Sequence, residues 1–124
     1  MPLRGLRGAT IVDANTSDAI LAATRELLHA LIDANQLHAE EIASVIFSIP
    51  PDLDAVFPAR AARELGWTHV ALLDLAAPRV ANDLPHCIRV LIHWNTEKSQ
   101  AQIQHVYLRG AKSLRPDLVN GADQ

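Results

Sequence analysis

Arg89 stands inside Cys87-Ile88-Arg89-Val90-Leu91-Ile92, an apolar and β-branched run of the kind that forms a covered strand. A guanidinium held there without a counter-charge would cost several kcal/mol, so the run predicts a well-placed anionic partner, either a protein carboxylate or a bound ligand. Arg7, Arg60, Arg63 and Arg115 also lie close to apolar or turn positions, and the basic residues as a whole are nine Arg against two Lys. That bias leans toward planar, bidentate recognition of carboxylate or phosphate. The sequence has no glycine-flanked serine elbow, phosphate-binding glycine loop, dinucleotide fingerprint or His-Glu-x-x-His motif. His29, His38, His69, His86, His93 and His105 are scattered without ligand spacing, so no metal is expected. Cys87 is the only cysteine, which rules out an intrachain disulfide and suits a small buried apolar residue. The chemistry on offer is non-covalent grip on a small anion.

Alternating elements must position these arginines. Leu3 to Val12 reads as a first strand in which Gly5 and Gly8 permit a bulge or a close backbone approach, with Arg4 and Arg7 on opposite faces. Thr16, Ser17 and Asp18 are N-cap candidates for a helix ending near Asn35, whose buried stripe is Ile20, Leu27, Leu28, Leu31 and Ile32. A short helical turn at Ala39 to Ala43 leads to a strand over Ser44 to Ile49, which Pro50-Pro51 ends. Pro58 near a first turn and Gly66 as a stop bracket a second helix, on which Arg60 and Arg63 share a face. Thr68 to Leu73 and His86 to Trp94 read as the third and fourth strands, joined by a loop that contains Pro78, Asn82, Asp83 and Pro85. Gln100 to Lys112 suits either a helix or a short strand around Val106-Tyr107-Leu108. The alternation indicates α/β layer packing without repeat, linker or low-complexity stretch.

At 124 residues and 49% hydrophobic content the chain is expected to form one domain over a single core. A net charge of −3 and the absence of an aromatic-interleaved basic stripe argue against nucleic acid as a partner. No apolar stretch is long enough for a signal peptide or a membrane span, so the expected location is the cytoplasm, without a membrane partner.

Five segments carry a resemblance. Arg4-Gly5-Leu6-Arg7-Gly8-Ala9, the run from Pro51 through Phe57, Ala59, Arg60 and Arg63 to Leu65, Cys87-Ile88-Arg89-Val90, His105-Val106-Tyr107-Leu108 and Leu114-Arg115-Pro116-Asp117-Leu118 resemble, in order and spacing, the monofunctional AroH-type chorismate mutases. The resemblance spans residues 3 to 118 as a single chorismate mutase domain, leaving Val119 to Gln124 as a mobile end. It implies an α/β (α+β) fold: a mixed β-sheet with helices on the outside, three copies of which form a pseudo-α/β barrel. The implied homotrimer has its active sites between subunits. The implied reaction is the pericyclic (Claisen) rearrangement of chorismate to prephenate, a step of aromatic amino acid biosynthesis that uses no cofactor, metal or covalent intermediate. Chorismate is a small dicarboxylate, which agrees with a chain offering arginines and no nucleophile.

The resemblance also implies roles. Arg89 matches the arginine that contacts the substrate's ether oxygen and a carboxylate; negative charge grows on that oxygen in the transition state, where one such donor is worth roughly 3 to 4 kcal/mol. Arg7 matches the residue gripping the same carboxylate, and Tyr107 a phenol hydrogen-bonded to it. Phe57, Ala59, Arg60, Arg63, Leu72 and Leu73 match positions that line the pocket from the adjoining subunit, Arg60 in a general electrostatic role. Leu114 and Arg115 belong to a segment that folds over the entrance. The pattern breaks at Ala77, where such enzymes commonly carry a glutamate that accepts the ring hydroxyl beside the catalytic arginine. Asp74, three residues earlier, is the candidate for the displaced carboxylate, expected to pair with Arg89 in the empty site and to receive the ring hydroxyl in the filled one. Two rival readings are a non-catalytic trimeric protein that binds a carboxylate metabolite, favoured by the missing glutamate, and an imine deaminase of a related trimeric fold, which leaves Tyr107 and the C-terminal motif unexplained.

Overall fold

Alternation along the central strand sets the layers. In β4 (Cys87–Asn95), Ile88, Val90, Ile92 and Trp94 are buried, whereas Arg89, Leu91 and His93 on the other face are only partly covered. The computed structural model describes residues 1–114. Within it β1 (Leu3–Ile11), β2 (Ile42–Ile49), β3 (Ala71–Ala76), β4 and β5 (Val106–Tyr107) form one sheet in the order β3-β2-β4-β1-β5. β4 pairs antiparallel with β1 and β2, and the outer pairs β2/β3 and β1/β5 are parallel. The sheet is therefore mixed, as expected.

Two helices cover one face. α1 (Ser17–Asn35) starts where the Thr16 hydroxyl accepts from the Ala19 N–H at 3.1 Å and ends at Gln36, which takes the left-handed conformation with φ 55°. Its Leu27, Leu28 and Leu31 pack with Leu6, Phe47, Val90 and Ile92 in the main core. Close contact depends on Gly8, where a Cβ would lie 3.0 Å from Leu31 Cδ1, 3.1 Å from Leu27 Cδ1 and 3.2 Å from the Val106 carbonyl. That glycine lets α1 and β5 approach the sheet together. α2 (Ala59–Glu64) is short, opened by Pro58 and stopped at Gly66 with φ 99°.

Three expectations shift. The third strand begins and ends three residues later than Thr68 to Leu73, so Asp74 lies inside β3 and not at its end. Aspartate is disfavoured in strands, and what makes it acceptable here is a tertiary hydrogen bond described below. The stretch expected as a short helical turn at Ala39 to Ala43 is a 3₁₀ turn of Ala39–Glu41. The segment that suited helix or strand resolves into two 3₁₀ turns, Gln100–Gln102 and Arg109–Leu114, flanking the two-residue β5. Arg115 and Val119 to Gln124 lie outside the described residues.

Candidate active site

The face of the sheet away from the helices carries Arg7 and Arg89. Register places Tyr107 beside Ala9, Ala9 beside Arg89, and Arg89 beside Ser48, forming one row across β5, β1, β4 and β2. Arg7 lies on the same face one step along β1, opposite Leu91. With strands about 4.8 Å apart, Tyr107 and Arg89 stand roughly 10 Å apart on either side of Ala9, whose methyl group is buried. Tyr107 is 5% exposed, packs with Ala9, Cys87 and Ala111, and has a buried hydroxyl without a hydrogen-bond partner among the described residues. Leaving a buried phenol unpaired costs about 1–3 kcal/mol, so the position favours an acceptor. Leu114 packs against the same cluster. Burial pushes the Cys87 thiol above its usual pKa despite the nearby Arg89, which keeps it a neutral thiol and a poor nucleophile.

Arg89 has an anionic partner, but it is not Asp74. Its Nη2 donates to Asp83 Oδ1 at 3.0 Å, and both side chains are about one-third exposed or less, at 27% and 32%. β3 pairs in register with β2 so that Asp74 lies beside Phe47, on the helix-covered face, whereas Arg89 shares the open face with Ser48. Within one chain the two point to opposite sides of the sheet, which corrects the expected pairing. Asp74 Oδ1 instead accepts the Ala59 N–H at the start of α2, at 3.1 Å. Burial raises its pKa against the opposing effects of that N–H and of Arg63. The covered-strand reading of Cys87 to Ile92 is corrected too: the run is fully buried along one face, and Arg89 stands on the other, where Cys87 is buried but Arg89 and Leu91 are only partly covered.

The remaining candidates form a second group. A cleft of about 590 Å³ runs between the β2–α2 connection and the end of β3, with Phe57, Asp74, Leu75 and Ala77 on its walls. Phe57 is 66% exposed, a large ring with nothing over it in the single chain. Ala59 is buried and contributes its backbone N–H to Asp74. Arg60 and Arg63 project from α2 as exposed side chains, Arg60 reaching Glu64 at 3.5 Å. Leu72 and Leu73 are parted by the pleat: Leu72 packs toward the core, and Leu73 is 53% exposed on the open face. Ala77 donates its N–H to the Ile49 carbonyl at 2.8 Å and offers only a methyl group to the cleft. The arginine-tyrosine row and the Phe57–Asp74 cleft are thus two separate groups within the chain.

Comparison with known proteins is decisive at this point. The family model for chorismate mutase type I matches residues 3–118. The chain belongs to the type I chorismate mutase family. It is 49% identical to a chorismate mutase AroH of Thermus thermophilus over 94% of this chain and 96% of that protein. It is 44% identical to chorismate mutase AroH of Bacillus subtilis over 95% and 94%. The solved structure of a chorismate mutase from Clostridium thermocellum superposes with a TM-score of 0.87 at 47% identity, covering 89% of this chain and 98% of that one. The resemblance read from the five sequence segments therefore stands for the family and for the fold.

Two features of this type I chorismate mutase escaped sequence reasoning. Asp83 was legible only as a loop residue, because its partnership with Arg89 depends on how the 77–86 loop folds back over β4. Ala9, the buried residue between Arg89 and Tyr107, could have been found from strand alternation only with the β1/β4 and β1/β5 registers in hand. Among the described residues no three His, Cys, Asp or Glu side chains gather as metal ligands, and no helix is long and apolar enough to cross a membrane.

Proposed function

We propose that this chain converts chorismate to prephenate in the cytoplasm, at sites that two neighbouring copies of a homotrimer complete. Arg89, Arg7 and Tyr107 of one subunit face Phe57, Ala59, Arg60, Arg63, Leu72, Leu73 and Asp74 of the next, while Leu114 and Arg115 close the entrance. The reaction is intramolecular. One ether C–O bond breaks as one C–C bond forms, and no nucleophile, external proton or redox partner is consumed. What the protein must supply is a compact substrate conformer and a fixed positive charge at the ether oxygen.

The observation that carries this reading is the row Tyr107–Ala9–Arg89, in which, among the described residues, a buried phenol has no hydrogen-bond partner and a guanidinium has one nitrogen engaged. Arg7 on the same face adds a second cation for a dicarboxylate. The need for a second copy is supported by the separation of the two groups and by Leu73, Leu75 and Phe57, which are 53%, 46% and 66% exposed. Asp74 reaches a neighbour's Arg89 only in such an assembly; there it is the candidate acceptor for the substrate's ring hydroxyl.

Incubating pure protein with chorismate, and following its loss together with prephenate formation, tests the activity. No acceleration over the spontaneous reaction would leave a protein that binds a carboxylate metabolite, the reading that Ala77 favours. Mass measurement in solution tests the trimer.

A further inference from the structure

We infer that Asp83 is the positioning residue for Arg89: it holds one edge of the guanidinium so that the remaining N–H groups face the substrate. The inference rests on the reading of Arg89 as the group that meets the substrate.

Asp83 is built into place. In the 77–86 loop its N–H donates to the Val80 carbonyl at 3.2 Å, and its Oδ1 accepts the Leu84 N–H at 2.9 Å as well as Arg89 Nη2 at 3.0 Å. The loop turns through left-handed conformations at Asn82 (φ 65°) and His86 (φ 55°), which bend it back over the start of β4. His86 fastens the far end, its N–H donating to Asp52 Oδ2 at 3.0 Å and its carbonyl accepting the Val12 N–H at 2.9 Å. Ala77 fastens the near end through the Ile49 carbonyl. A loop tied at both ends presents its carboxylate from a fixed direction. The Leu84 N–H and Arg89 hold that carboxyl below its ordinary pKa, so it is the anion throughout the neutral range.

The consequence lies in what Asp83 leaves free. A guanidinium has five N–H donors, and only one nitrogen of Arg89 has a hydrogen-bond partner in the described chain. Nε and Nη1 remain for a carboxylate or an ether oxygen. An arginine on an open sheet face with no anchor would sample several rotamers; one anchored at Nη2 is preorganised for what approaches the other edge. Residue 77, an alanine, has no polar side-chain atom with which to do this.

The test is a set of Asp83 variants, with kcat and KM for chorismate measured alongside thermal unfolding and the side-chain ¹H–¹⁵N signal of Arg89 Nε, assigned by its loss in Arg89→Lys. Asp83→Asn and Asp83→Ala are expected to lower kcat by about tenfold or more, with KM changed less and the unfolding midpoint retained, because misorientation weakens contacts made in the transition state. Asp83→Glu recovers part of the loss. The Nε signal is expected to broaden or average in Asp83→Ala. Unchanged kcat in Asp83→Ala overturns the inference, and so does a lowered KM at unchanged kcat, which would make Asp83 a competitor that substrate must displace. If wild-type protein proved inactive, the functional reading would fall; the Arg89 Nε signal would then decide the positioning role alone, an unaltered signal in Asp83→Ala refuting it.

Discussion

Removing the Arg89 side chain is the sharpest perturbation of the proposed chemistry. Arg89→Ala deletes a partly exposed side chain from the open face of β4 while leaving Ile88, Val90, Ile92 and Trp94 packed on the other face. Its ion-pair partner Asp83 stays in contact with water, so no orphaned buried charge results and the unfolding midpoint is expected to stay close to wild type. The catalytic loss is of another size. A preorganised donor to a developing oxyanion is worth about 3 to 4 kcal/mol, which at 1.36 kcal/mol per decade is a fall of roughly 150- to 900-fold in kcat. Arg89→Lys keeps the charge, but a single ammonium cannot hold Asp83 and reach both a carboxylate and an ether oxygen; a loss of at least about tenfold should remain. Initial rates of chorismate loss, taken on protein whose midpoint has been measured, give both numbers. An Arg89→Ala protein with an unchanged midpoint and a kcat within about tenfold of wild type would refute the reasoning.

Two further outcomes follow from geometry on the other side of the sheet. Gly8→Ala sets a methyl group against Leu27, Leu31 and the Val106 carbonyl; overpacking of about 1–3 kcal/mol outweighs about 0.4–1 kcal/mol gained in the unfolded chain, and denaturant unfolding should show a net loss. That loss should shrink in a Leu31→Val background, and equal losses in both backgrounds would show that Leu31 is not the obstacle. Asp74 has a raised pKa in the fold, so its ionisation costs stability as pH rises through that value. Asp74→Asn, which keeps an oxygen for the Ala59 N–H, should gain stability relative to wild type at neutral pH and converge with it in acid, as pH-dependent unfolding would reveal. Asp74→Asn and Asp74→Ala should both lose activity: wild-type turnover and affinity in Asp74→Ala would remove Asp74 from the site.

Sequence alone determined which residues are available and which local elements form. Thr16 capping a helix with a leucine stripe, Pro58 and Gly66 bracketing a second, and the apolar run around Arg89 are short-range signals, because caps, breakers and periodicity act within a turn or a strand. The five spaced segments were enough to point to the chorismate mutases, and the family match over residues 3–118 agrees. Tertiary structure decided the faces and the partners. Arg89 lies in a run where nearly every neighbour is apolar, so alternation could not say which side the helices cover; the pairing of β4 with β1 and β2 did. Nothing local separates Asp74 from Asp83 as a partner for Arg89. A strand shifted by three residues turns Asp74 toward α2, and a loop bent back through Asn82 and His86 brings Asp83 to the guanidinium. Which carboxylate meets a cation depends on register and loop path over distances that local sequence does not encode.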